Sequence, residues 1–184
     1  MTEPARTAPG PTRLPVSLSA AGNPAQELDR VLLPWLRVAT AGALDAEFDR
    51  LESPSSEGLH GLFEVELLTI RGIGGCPVLW NPLRRWLNRH MPAVFEGKVF
   101  SGTAGYNQFA AGRQGLFFGV RRRPGDPRHV IIDYNVSGTP RPLRALAADV
   151  RRLTDDTLLC RTIWRRRKGE TVLLHFLLTA RAAR

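Results

Sequence analysis

Tyr106, Asn107, Tyr134, Cys160, Thr162 and Trp164 are the side chains of this sequence best suited to chemistry in an apolar setting. Tyrosine and tryptophan carry a large apolar body with a polar tip, and a mainly apolar cavity with a few placed polar groups is how proteins hold lipophilic molecules. Tyr106 and Tyr134 would donate hydrogen bonds to a polarised carbonyl and Asn107 would orient it, which makes these three the catalytic candidates. Phe118, Cys160, Thr162, Trp164 and Phe176 are the candidate ligand-binding residues. The competing expectation for each, taken singly, is an ordinary core position, because small barrels fill their interiors with side chains.

Other chemistries find little footing. Gly97–Lys98 invites a phosphate-loop reading, but the glycine needed five residues earlier is Pro92 and the hydroxyl needed after the lysine is Val99. The "GIGG" at 72–75 lacks the third glycine of a dinucleotide fingerprint, since Pro77 stands there. No GxSxG elbow occurs. His60, His90, His129 and His175 show no metal-ligand spacing, so neither a metal nor a cofactor is expected. Glu64 and Glu66 alternate with apolar residues as a solvated sheet face does, and Arg161 with Asp133 reads as an outer-face ion pair.

The elements that must position these groups follow from periodicity. Asn23, Pro24 and Gln26 form a helix start, with Leu28, Val31, Leu32, Trp35 and Leu36 recurring at helical spacing until Pro34 kinks or ends it. A second helix is expected in "LDAEFDRLE" and a third in "NPLRRWLNRHMP". In that third helix Asn81 would cap, Leu83, Trp86 and Leu87 would face inward, and Arg84, Arg85 and Arg89 outward. In "GLFEVELLTI" the period changes to two, marking a half-buried strand. Strands are then expected at 94–100, 103–110, 115–123, 129–136, 157–166 and 171–180, with a helix through "PLRALAADVRRL" on the face of Leu143, Leu146, Ala147, Val150 and Leu153. The expected fold is mainly β: seven antiparallel strands curled into a barrel, with N-terminal helices and one helix between the fifth and sixth strands. Residues 1–22 read as a Pro/Ala-rich disordered tail and 23–184 as a single barrel domain.

If those seven strands alternate up and down, the turns after the second, fourth and sixth lie at one end. Arg121, Arg122 and Arg123 would then join Arg165, Arg166 and Arg167 in a basic collar around one rim. Beside it "FSGTAGYNQF" makes a tight reversal that carries either Tyr106 or Asn107 inward. Parity leaves the choice between them open, because Phe109 shares a face with Asn107 and Gln108 with Tyr106.

Composition sets the setting. The chain has 26 Lys+Arg against 17 Asp+Glu, a net charge of +9, and only Lys98 and Lys168 among the basic residues are lysine. So strong an arginine bias, with abundant Ala, Gly and Pro, is what a GC-rich genome produces irrespective of function. Cys76 and Cys160 form no framework, which fits a reduced, cytoplasmic protein. No apolar run approaches a bilayer-spanning length.

The order of "FEGKVF", "GYNQF", "IIDYN", "AADVRRLTDDTLL" and "LLHFLLT" resembles lipocalin-like, calycin-type barrels, more narrowly an uncharacterised actinobacterial group, and distantly the GXWXG-type domains of unknown function. The resemblance covers roughly 58–180 and implies a lipophilic ligand inside the barrel; some bacterial barrels of this kind cyclise polyketide or terpenoid chains.

Two functions from different classes follow. The first is a cytoplasmic barrel that encloses a lipophilic small molecule, acting as a cofactor-independent cyclase or isomerase that templates a flexible chain. Its basic rim would attract a carboxylate or an acidic carrier protein. The second is a nucleic-acid-binding barrel, since residues 141–184 hold eleven Lys/Arg against four Asp/Glu. A weaker third is a peripheral membrane or partner-binding module using the Trp80–Arg89 segment.

Overall fold

The computed structural model describes residues 31–55 and 59–181. The expected tail and the Asn23 helix start lie outside them. Two short helices come first, α1 (Leu33–Val38) and α2 (Ala41–Phe48). Pro34 occupies the opening turn of α1, where its missing N–H costs nothing. Thr40 caps α2 by accepting from the Ala43 N–H.

Eight strands follow in an antiparallel barrel closed by pairing of the first with the last: β1 (His60–Ile70), β2 (Phe95–Ser101), β3 (Ala104–Phe109), β4 (Arg113–Arg123), β5 (Asp126–Asp133), β6 (Leu146–Arg152), β7 (Thr157–Arg166) and β8 (Gly169–Ala180). A helix, α3 (Pro77–His90), connects β1 to β2. The mainly β barrel with N-terminal helices stands, with one more strand than expected. The extra strand is β6, where the sequence reads as a helix; only 141–145 is helical there, as a short 3-10 turn.

β6 hides its nature because both its faces are covered. Ala147 to Arg151 are all buried. Ala148 and Val150 face the barrel interior, while outside, Asp149 is held by Arg123 and Arg161, and the Arg151 guanidinium lies 4.8 Å from the Phe48 ring centroid. A strand buried on both sides loses the in–out alternation by which strands are recognised.

The barrel has a gradient of burial along its axis. At the end that holds the β2–β3, β4–β5 and β6–β7 turns, the inward residues Leu59, Phe100, Val120, Val130, Val150, Leu158 and Leu178 are all buried in one core. Toward the other end Leu116, Leu146 and Leu174 are only half-buried while packing on that core. Gly105 belongs to this packing, since a Cβ there would lie 2.4 Å from the Phe118 ring. A second core lies outside the wall, where Leu36, Leu44 and Phe48 of α1 and α2 cover Leu68, Leu159 and Leu177.

The wall is not evenly sealed. β1 pairs with β2 only from His60 to Phe63, whereas its pairing with β8 runs from Phe63 to Ile70. Gly97 lies at the last close approach of the two strands: it has φ +149° and a Cβ there would meet the Phe63 carbonyl oxygen at 2.2 Å. Beyond it α3 substitutes for β2. Asn88 Oδ1 accepts from the Leu67 N–H (2.8 Å) and Asn88 Nδ2 donates to the Leu67 carbonyl (2.9 Å), the two bonds a neighbouring strand would make. Trp80 adds a bond from its indole N–H to the Leu68 carbonyl.

These anchors turn α3 differently from the expected orientation. The helix begins at Pro77, so Asn81 does not cap it and Pro82 lies inside it. Trp80 and Arg84 face the barrel and are buried, Arg84 reaching Glu66 at 3.7 Å, while Leu83 and Trp86 point to solvent.

Candidate functional site: a lysine inside the barrel

Lys98 projects from β2 into the barrel, and only 6% of it is exposed. Its direct partners in the ladder are Phe63 on β1 and Asn107 on β3. Nζ donates to Asn107 Oδ1 at 2.8 Å and to the Tyr134 hydroxyl oxygen at 2.5 Å. Four aromatic rings surround the amine, with centroids at 5.2 Å (Tyr134), 5.5 Å (Phe118), 5.8 Å (Phe95) and 5.9 Å (Phe176). No ion pair reaches Lys98 among the described residues. Ring faces attract a cation, and two oxygens accept from it, yet no carboxylate neutralises it.

Several residues expected from the sequence meet here. Asn107 and Tyr134 are both buried and hold the amine. Phe118 and Phe176 form two of the four rings, and Phe118 also packs edge-on against Tyr134. Cys160 is fully buried in the same core, on the rung that pairs Val150, Cys160 and Phe176. Thr162 and Trp164 share the inner face of β7, opposite Ala148 and Leu146, and are half-buried toward the less tightly closed end.

Tyr106 departs from expectation. It lies on the outer side of β3 with its ring 6.2 Å from Phe117, because Asn107 and Gly105 take the inward positions. Tyr106 therefore does not share the interior with Asn107 and Tyr134. The basic collar also dissolves. With β6 inserted, alternation puts the β7–β8 turn at the end opposite the β4–β5 turn, so the two arginine triplets do not share a rim. Arg121 and Arg165 instead converge on Asp133 on the outer wall, and Arg123 reaches Asp149 and Glu170. Arg122, Arg166 and Arg167 remain exposed. Arg161 pairs with Asp149 at 3.1 Å rather than with Asp133. Glu64 and Glu66 do lie on the outer face, paired with Arg181 and Arg37.

Lys98 is hard to find in the sequence because Gly97–Lys98 resembles a broken phosphate loop. Two signals mark it: alternation puts Lys98 on the face of Phe100, and it is one of two lysines in a chain whose basic residues are otherwise arginine.

The gap between β1 and β2 opens on the outer surface of the barrel. A cleft of about 490 Å³ lies there, lined by Leu33, Val65, Asn88, Pro92, Phe95 and Leu177 and by the charged Arg37, Glu64, Glu66, Glu96 and Arg181. Val65 also packs on the interior core, and Phe95 is the ring 5.8 Å from Nζ. The wall of the cleft is therefore also a wall of the lysine's surroundings.

No family model and no curated protein sequence matches the chain. A crystal structure of a protein from Thermomonospora curvata has a similar fold, with a TM-score of 0.52 and 16% identity over 86% of this chain and 98% of that one. At that identity the likeness is one of fold.

Two further polar groups bound the possible chemistry. Burial pushes the Cys160 thiol well above its ordinary range, against the opposing pull of the Lys98 ammonium. We expect a thiol reagent to modify the exposed Cys76 in the folded protein and to reach Cys160 only on unfolding, read as one fast and one denaturant-dependent equivalent. Two equally fast equivalents would show the interior to be open to solvent. Outside the barrel His175 is buried against Asp45 (2.9 Å), and burial pushes its imidazole below its ordinary value although Asp45 opposes the shift. Among the described residues no cluster of His, Cys, Asp and Glu is placed to hold a metal ion, and no helix is long and apolar enough to cross a membrane.

Proposed function

We propose that this calycin-like barrel encloses a lipophilic small molecule whose carboxylate or carbonyl oxygen is received by Lys98. The supporting observation is a buried amine with two neutral oxygen partners and four rings but no carboxylate. Taking an ammonium from water costs several kcal/mol, which a core position has no reason to bear unless something returns it. An ammonium has three N–H donors; Asn107 and Tyr134 take two, and a ligand oxygen would take the third. The β1–β2 gap is the route by which such a molecule would reach it.

A carbonyl held by Lys98 and the Tyr134 hydroxyl would be polarised toward enolisation or attack, while Phe118, Phe176 and Phe95 fold the attached chain against itself. Cyclisation or isomerisation of a polyketide- or terpenoid-like chain in the cytoplasm is the reaction this arrangement favours, because holding a flexible chain in a reactive conformation removes several kcal/mol of entropic barrier. The arginine-rich C-terminal half gives a nucleic-acid reading less support, since Arg123, Arg161 and Arg165 spend their charge on Asp149, Glu170 and Asp133.

Native mass spectrometry of the full chain, together with displacement of a fluorescent long-chain fatty acid, tests the reading. We expect retained or added mass and displaceable fluorescence. A chain that carries no added mass and leaves the fluorescent acid in solution would sink it.

A further inference from the structure

We propose that the outward face of α3 is a docking surface for an anionic lipid bilayer. The anchors Trp80, Arg84 and Asn88 fix which side of the helix meets the barrel, and the opposite side carries Val78, Leu79, Leu83 and Trp86. Val78 is 82% exposed, Leu79 68% and Trp86 57%, and Ile73 and Val94, on the segments before and after the helix, are exposed as well. Arg85 and Arg89 lie on the same face and are exposed. An amphipathic helix with Trp and Leu among arginines is the composition that seats in a headgroup layer: apolar side chains enter the acyl boundary, and cations meet lipid phosphates and carboxylates.

Charge decides the occupant. No Asp or Glu occurs between Glu66 and Glu96, so the face is basic without internal compensation, on a chain of net charge +9. A second copy docking face to face would bring two basic faces together with no acidic side chain of the helix between them. The first thirty residues carry three acidic and three basic side chains and offer no net negative charge to complement the face. A negatively charged bilayer complements both its charge and its apolar side chains.

Position gives the surface a purpose. α3 leaves β1 and enters β2 at the less tightly closed end of the barrel, and Asn88, which takes the place of β2 beside Leu67 of β1, belongs to it. A bilayer under α3 lies beside the cleft that Asn88 and Phe95 help to line. Docking itself stands without the ligand reading, and vesicle binding is measured without any ligand.

The test is co-sedimentation of the full chain with vesicles of phosphatidylcholine plus phosphatidylserine, against phosphatidylcholine alone. We expect pelleting that needs phosphatidylserine and falls as salt is raised. Arg85→Glu with Arg89→Glu should weaken it on the order of tenfold or more, and Leu79→Ser with Trp86→Ser should abolish it. All four side chains are exposed, so thermal melting of both variants should match the parent. Absence of phosphatidylserine-dependent pelleting, or equal binding by the variants, overturns the proposal. So does self-association in sedimentation velocity that the same substitutions abolish, which would give the face to a second copy.

Discussion

Lys98→Met should weaken binding of a long-chain carboxylate roughly 10- to 100-fold while leaving the barrel folded. The magnitude follows from losing one charge-assisted hydrogen bond, about 1.5–3 kcal/mol. Methionine matches the length of the lysine stem and is tolerated among aromatic rings, so Phe95, Phe118 and Phe176 keep their neighbour. Stability moves little, because two effects oppose each other. The desolvation cost of the ammonium disappears, but Asn107 Oδ1 and the Tyr134 hydroxyl each lose a partner, worth about 1–3 kcal/mol apiece when buried. Adding Asn107→Leu removes one orphan and should raise the melting temperature above that of Lys98→Met alone. Tyr134→Phe, which keeps the amine, should cost binding only a few-fold, at about 1 kcal/mol for a neutral bond. Titration with the fluorescent acid measures all of these. Unchanged affinity in Lys98→Met would remove the lysine from ligand recognition whatever else the barrel does.

How far these residues could be read in advance depended on what covers each side of a strand. β1 is legible because Glu64 and Glu66 face outward between the buried Phe63, the half-buried Val65 and the buried Leu67, so alternation survives. β6 is not, because Asp149 and Arg151 on its outer face are themselves buried beneath Arg123, Arg161 and Phe48. Leu, Ala and Arg there also favour helix locally, and tertiary burial overrides that preference. β6 also decides where the arginine triplets lie, since each added strand reverses the chain and moves every later turn to the opposite end. In the site, Tyr134, Phe118 and Phe176 are legible from residue type within their strands. The choice between Tyr106 and Asn107 is not, because β3 is short and irregular pairing on both its sides breaks simple parity. The orientation of α3 was hidden for a related reason: Asn81–Pro82 resembles a helix start, and shifting the start to Pro77 makes Trp80 the anchor.

The outer wall has its own organising group, and it gives the second large effect. Asp133 is buried on β5 and accepts from Arg121 Nε at 2.8 Å, from Arg165 and from the Asn135 N–H at 3.0 Å, tying β4, β5 and β7 together across the strand that was missed. Burial alone would raise its carboxyl, but the hydrogen bonds from Arg165, Asn135 and Arg121 outweigh it and hold the group below its ordinary range. Asp133→Asn should therefore cost about 2–4 kcal/mol at neutral pH, somewhat less than a fully buried broken pair because Arg121 and Arg165 keep access to water. That is a large share of the stability of a domain this size.

The pH dependence carries a sign. A carboxyl whose folded pKa is depressed adds stability that is complete above its unfolded value, near 3.9, and is lost as pH falls through the folded value. Urea unfolding of parent and variant should show a constant gap from neutral pH to about pH 5, closing as the solution is acidified further. His175 will lower both curves below about pH 6.5, because the unfolded imidazole takes a proton that the buried one resists. That loss is common to the two proteins and cancels in the difference. A gap independent of pH, or one that widens on acidification, would mean that the Asp133 charge does not hold the three strands together and that shape alone sets the cost of the substitution.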